Sequence, residues 1–439
     1  MSLDGFWLFE GLAEEPYGLL PLVNLSGKGG PTSTKSVERI GSYQWYLDDK
    51  TPTIVIPGMP PESFFWAGGK LQQDHGVVIY DVNHLKVPTG SLDTMILAAQ
   101  HLTEKAEKPI NFDDYDFITD AVNLQKLFAF AQEAGDGLFR IDVERVGKTI
   151  LFARVEASDL MEIGHVTFDQ ALKRKMTKPK SKLTTGPFFQ LVSYQFGQFK
   201  LLVRFEVDCA DYAAVKMPRA EYDRKLKTLG RNKMGANLMM VIEFKLAKRK
   251  RRFAGAIFQE RNDNNFIMII TDRSLYSENN AEVEMEPRKE KFKENDTISF
   301  IEYGEMPRNV PLQLLTTYPQ GAGFPFFTWA QMFFTTADQE IVGWFKGNGD
   351  FSKPAMNALP DISKLIKPLP YVALAKVHDC LTKIAKFLIK NDSDIKCSLI
   401  WKGKNHLEIF TKTSVDGAVS PGVKKLLQMH CREPDQLDE

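Results

Sequence analysis

Two short stretches place charge inside runs that otherwise read as buried β-strand. In "LLVRFEVDCAD", Glu206 and Asp208 stand two residues apart, and in "ANLMMVIEFKLA", Glu243 and Lys245 do the same. Side chains alternate faces along a strand, so each pair shares a face. A carboxylate left unpaired in apolar surroundings is costly, and such groups are usually paired or bound to metal. Three carboxylates and a lysine from two neighbouring strands make an oxygen-ligand set suited to Mg2+ or Mn2+. Metal in such a set activates water and neutralises a phosphodiester, while the lysine orients the water or stabilises charge on a phosphate oxygen. The plain alternative for the E-x-K pair is a solvated ion pair on a half-exposed strand, which is worth little.

Several elements must position these residues. Strands "FFQLVSYQFG" and "FKLLVRFEVDCA" are joined by a tight turn at Gly197-Gln198, so Glu206 and Asp208 end the second arm of a hairpin. Another hairpin spans "LFRIDVERV" and "KTILFARVEA" around Gly147, and "RFAGAIFQER" and "FIMIITDR" suggest a third. "YDFITDAVNLQKLFAFAQEA" begins as a strand and turns into a helix near Thr119 or Asp120, either of which could cap it. "SLDTMILAAQHLTEK", "IGHVTFDQALKRKM" and "YVALAKVHDCLTKIAKFLIK" carry helical periodicity, and "CSLIWKG" and "HLEIFTKT" close the chain as strands. Interleaved elements joined by hairpins predict a mixed α/β (α+β) fold of largely antiparallel sheets flanked by helices. Residues 1–38 are expected to form a flexible arm, 39–412 a single domain with an insertion at about 248–310, and 413–439 a frayed tail.

Composition narrows the class. The chain has 439 residues, enough for a substantial core, and a formal net charge of zero, so attraction to nucleic acid must come from local patches. Its four cysteines show no C-x-x-C spacing and imply neither a disulfide framework nor a zinc cage. The first residues carry acids and no basic leader, and no apolar run reaches the length of a membrane span. A nuclear or cytoplasmic protein, neither secreted nor membrane-bound, is expected.

In order along the chain, the motifs resemble those of the DXO family of decapping nucleases and 5′-end RNA exoribonucleases, whose sites are of the PD-(D/E)XK type. "DYDFITDAVNLQKL" is similar to the family's D-[FI]-V-T-x-R-x-x-L-x-K-[IL], and "IGHVTFDQA" resembles its G-x-x-F-E helix. "LLVRFEVDCAD" is close to its G-E-V-D-C-x-D strand, "MVIEFKLA" to its V-E-[LI]-K-T strand, and "TWAQMFFTTADQEIVGWFKGNG" to W-x-A-Q-S-F-L-x-G and the strand that follows. The resemblance implies that Asp169, Glu206, Asp208 and Glu243 bind Mg2+ or Mn2+, with Asp208, Glu243 and Lys245 catalytic. It places Gln331 near the RNA terminus; on the residues alone, a buried helix-capping glutamine serves as well. The implied activity is removal of incomplete or non-standard caps, 5′-to-3′ exoribonuclease action, or both; the same residues would serve a DNA phosphodiester. This chain departs from the pattern at Ala121, which replaces the family's arginine, at Asp169, which replaces a glutamate, and at Leu246 after the lysine. Those departures motivate an alternative, a catalytically degenerate member that binds RNA or partners a 5′-to-3′ exoribonuclease.

Basic runs "KRKMTKPKSK", which includes Lys173 and Arg174, and "KRKRR", which includes Lys248 and Arg249, could line an RNA path. The second could equally be an import signal or a solvated turn. His165 suits a hydrogen bond at a helix start better than a ligand role. Most of "FPFFTWAQMFF" is expected in the core, although it could stack bases.

Overall fold

The computed structural model describes residues 3–132, 138–164, 166–216, 288–305, 309–322, 326–366, 369–390 and 396–429. Two sheets dominate: one of 12 strands and one of 8. Strand Phe199–Val207 lies inside the larger sheet, parallel to Phe117–Asp120 on one side and antiparallel to Thr185–Phe196 on the other. Leu201, Leu202 and Val203 are all fully buried, as a strand covered on both faces requires. One face packs against helices Ala121–Gln132, Phe326–Thr335 and Tyr371–Lys390, through residues such as Leu124, Trp329 and Val377. The other packs against Asp93–Lys105 and Pro421–Met429, through Met95, Ile96 and Leu427.

The chain leaves the large sheet at Asp208 and enters the second as Cys209–Ala210. There Cys209–Ala210 is antiparallel to Leu312–Pro319, which in turn runs parallel to Gln339–Lys346. Helix Asp169–Met176 covers this sheet, burying Ala171, Leu172 and Met176 against Leu315, Ile341 and Phe345. Gly343 lets it come close, since a Cβ there would lie 3.1 Å from Leu172 Cδ2.

The expected mixed α/β architecture holds. The two hairpins expected around Gly147 and Gly197 turn where glycine allows it, with φ of +60° at Gly147 and +65° at Gly197. Strand Phe117–Asp120 passes directly into helix Ala121–Gln132.

The ends and the insertion are more built-in than expected. In the supposed arm, Gly18–Pro21 pairs with His406–Thr411, and Leu20, Leu22 and Leu25 enter the core. In the supposed tail, helix Pro421–Met429 buries Val423, Leu426 and Leu427. Within the insertion, Lys289–Lys291 and Ser299–Tyr303 extend the large sheet, the latter parallel to Thr53–Pro57. Apolar residues at these places cover sheet edges and faces that would otherwise stay open. Glu243, Lys245, Leu246, Lys248, Arg249 and His165, and the third hairpin, lie outside the described residues.

Candidate active site

Residues 204, 206 and 208 share one face at the end of Phe199–Val207 and differ sharply in environment. Arg204 is 1% exposed and grips Asp120 with two parallel donors, Nε to Oδ1 at 2.6 Å and Nη2 to Oδ2 at 2.9 Å. Its Nη1 donates to Ser91 O, Tyr43 Oη and Thr94 Oγ1, so each of the three guanidinium nitrogens has an acceptor. Glu206 is half exposed toward the cleft, and Asp208 is nearly buried.

Both carboxylates meet Lys173. Its Nζ lies 2.5 Å from Asp208 Oδ1 and 3.6 Å from Glu206 Oε1. Burial lowers the Lys173 pKa, but Asp208 and Glu206 outweigh it and hold the ammonium above the ordinary lysine range. Loss of hydration raises the Glu206 carboxyl, Lys173 opposes this, and Asp208 adds to it. The second Asp208 oxygen accepts the Leu315 N–H at 2.7 Å.

Helix Asp169–Met176 sets Lys173 in place. Its first turn is capped by Asp74, whose carboxylate accepts from Gln170 N at 2.9 Å and Ala171 N at 2.8 Å. Asp169 ties the helix to the second sheet: Oδ1 accepts from Thr317 N at 2.9 Å and Thr317 Oγ1 at 2.6 Å, and Oδ2 from Thr167 Oγ1 at 3.1 Å. Lys173 is one turn further on and therefore on the same side of the helix. Arg174 points away, half exposed, with its guanidinium 3.5 Å from Asp74.

Beside the acidic pair lies a cavity of about 140 Å³ whose lining includes Glu206, Gln331, Ala121, Gln125, Arg154 and Tyr80. Sequence reasoning missed Arg154, which brings a guanidinium into the cavity that Ala121 also lines. It sits 4.4 Å over the Tyr80 ring and bonds Glu156 Oε1 at 2.7 Å. Glu156 also pairs with the nearly buried Lys126 at 2.9 Å. The only sequence signal was the placement of these charges in otherwise apolar runs. Glu340 was missed as well. It is fully buried on Gln339–Lys346, with Oε1 accepting from Thr316 Oγ1 at 2.6 Å and Oε2 without a partner among the described residues. Burial pushes its carboxyl up to about 7, against the Thr316 hydrogen bond, and Asp208 adds to the rise.

The strand beside Asp208 differs from the one expected there. Cys209–Ala210 is flanked by Glu62–Ser63 and Leu312–Pro319, and Phe199–Val207 by Phe117–Asp120 and Thr185–Phe196. In place of E-x-K, the strand next to the acid reads Gln313-Leu314-Leu315, and it leads to the helix that carries Gln331. Pairing between distant segments is not written in either of them alone. A divalent ion needs several oxygens free to converge. Here Asp169 and Asp208 spend theirs on protein donors, and an ammonium stands between Glu206 and Asp208. Among the described residues, no three His, Cys, Asp or Glu side chains are grouped to hold a metal. The described residues therefore do not fit a divalent metal.

A family described as a domain of unknown function (DUF8563) matches residues 27–231. No curated protein matches by sequence. Among solved structures, Candida albicans Rai1 in complex with pU5-Mn2+ is similar at 13% identity and TM-score 0.52, over 94% of this chain and 99% of that one. S. pombe Rai1 follows at 11% identity and TM-score 0.51, over 90% and 99%. The chain has the Rai1/Dxo1 fold. K. lactis Dxo1 in complex with manganese is similar at 9% identity and TM-score 0.50, over 90% of this chain and 98% of that one. At this distance in sequence the likeness is one of fold.

Proposed function

We propose that this chain binds the 5′ end of single-stranded RNA with a Rai1/Dxo1 fold and does not hydrolyse it. One observation carries this reading: the ammonium of Lys173 stands between Glu206 and Asp208, where a catalytic cation would have to bridge them. Structures of the same fold are complexes with pU5 and Mn2+ and with 3′-FADP, which supports a nucleotide ligand here. Arg154, Gln125 and Gln331 offer donors in the cavity, and Tyr80, 44% exposed, offers a ring face at its mouth. Exposed Lys175 and Lys178 lie within five residues of Lys173 and supply phosphate contacts near it. A non-hydrolysing end-binder of this kind suits a companion of a 5′-to-3′ exoribonuclease in the nucleus or cytoplasm.

The second reading is a metal-dependent phosphodiesterase that removes incomplete or non-standard caps. The convergence of Glu206 and Asp208 in a cleft favours it. It would draw on Asp169, Glu206, Asp208 and Glu243 with Mg2+ or Mn2+, and on Lys245. Internally labelled RNAs bearing 5′-hydroxyl, monophosphate, triphosphate or dinucleotide caps separate the two when incubated with manganese, magnesium or EDTA. End-binding predicts intact RNA, shifted equally with and without EDTA. It also predicts that Lys175→Ala and Lys178→Ala each lower the log–log salt slope of binding by about 1. Manganese-dependent cleavage that vanishes in Asp208→Ala would establish the nuclease instead.

A further inference from the structure

Lys173 belongs to none of the motifs that carry the resemblance to decapping nucleases, yet it makes the closest contact at the acidic pair. We infer that Lys173 is a built-in cation that holds Glu206 and Asp208 together and keeps divalent metal out, leaving a latent metal site beneath it. This deepens the end-binding reading by naming what replaces the metal.

The lysine is held, not merely nearby. Asp74 caps its helix, Asp169 fastens the same turn to Thr317, and Leu172 seats against Gly343. The ammonium then falls 2.5 Å from Asp208 Oδ1 and 3.6 Å from Glu206 Oε1. A Mg2+ or Mn2+ ion would need the same oxygens at roughly 2.1 Å, which two like charges in one place forbid. The neighbouring strand adds no compensating ligand, because Gln313 faces Gln339 and position 315 is leucine. Removing the ammonium strands two carboxylates beside each other, an unfavourable arrangement that a divalent ion relieves.

The test needs metal alone and no RNA, so it stands or falls independently of end-binding. Mn2+ uptake by the full-length protein is followed by the electron paramagnetic resonance signal of the free ion. Wild type and Lys173→Arg should take up no ion that depends on Asp208. Lys173→Met should gain one Mn2+ per chain, with binding at that site tighter on the order of 100-fold, and lose it again when Asp208→Asn is added. A wild-type Mn2+ site that Asp208→Asn abolishes would overturn the inference. So would a folded Lys173→Met, checked by circular dichroism, that gains no ion. Should Lys173→Met fail to fold, Lys173→Gln, taken through the same Mn2+ titration with and without Asp208→Asn, carries the test.

Discussion

Arg204 and the two carboxylates that meet Lys173 follow one another at positions 204, 206 and 208, and the ion pairs they make with Asp120 and with Lys173 have opposite characters. The Arg204–Asp120 pair is bidentate and buried, with Nη1 held by Tyr43, Thr94 and Ser91. The Lys173 cluster is lopsided: one short contact, one long contact, and a Glu206 carboxylate that still faces the cleft. A closed pair has no valence left for a ligand and acts on stability, because taking either partner away leaves a buried charge. An open cluster keeps hydration and unspent acceptors, so it contributes little to stability and can exchange partners. Strand position decides between them. Arg204 is inside the large sheet, whereas Glu206 and Asp208 lie where the chain crosses to the second sheet and the layers part.

The contrast can be broken from the closed side first. Arg204→Met should cost about 3–5 kcal/mol in urea unfolding, because Asp120 is left buried and unpaired. A loss below about 1 kcal/mol would show the pair to be no more closed than a surface bridge.

Glu340 extends the comparison to a buried acid with no cation paired to it among the described residues. Its folded pKa of about 7 lies above the unfolded carboxyl value, so folding favours the protonated form. That contribution is complete below the unfolded pKa and is lost as pH rises through about 7. Wild type should therefore lose roughly 2–3 kcal/mol between pH 4.5 and pH 8.5 that Glu340→Gln retains, measured by chemical denaturation at both values.

Effects on the open side should fall on binding. Arg154→Met should weaken binding of 5′-phosphorylated RNA about tenfold by fluorescence anisotropy, through loss of a charge-assisted donor. Glu206→Gln should change unfolding free energy by only about 0.5 kcal/mol, since its carboxylate is half exposed and its lysine contact is long. A larger loss would move Glu206 to the closed class with Asp120.

Much of the fold was legible because local patterns and global structure agree. Alternating and continuous apolar runs, glycine at both hairpin turns, and the polar switch at Thr119–Asp120 all say locally what the sheets require. The joint siting of Glu206 and Asp208 was legible for the same reason, since a two-residue spacing on a strand leaves no other choice. Lys173 was read as part of a basic run because nothing near it in sequence reveals an acidic partner more than thirty residues away. The apolar GLLPLVNL segment was read as an arm because its partner strand comes almost four hundred residues later.

By itself the sequence determined the mixed α/β class, the two expected hairpins among the described residues, the strand-to-helix switch after Asp120 and the shared face of the acidic pair, all of which follow from period and turn chemistry within a few residues. Tertiary structure alone decided which strand stands beside Asp208, that Arg204 closes on Asp120, and that the ammonium between the two carboxylates belongs to Lys173. Strand pairing and helix docking are chosen by the free energy of the whole packed core, and no short stretch of chain carries that sum.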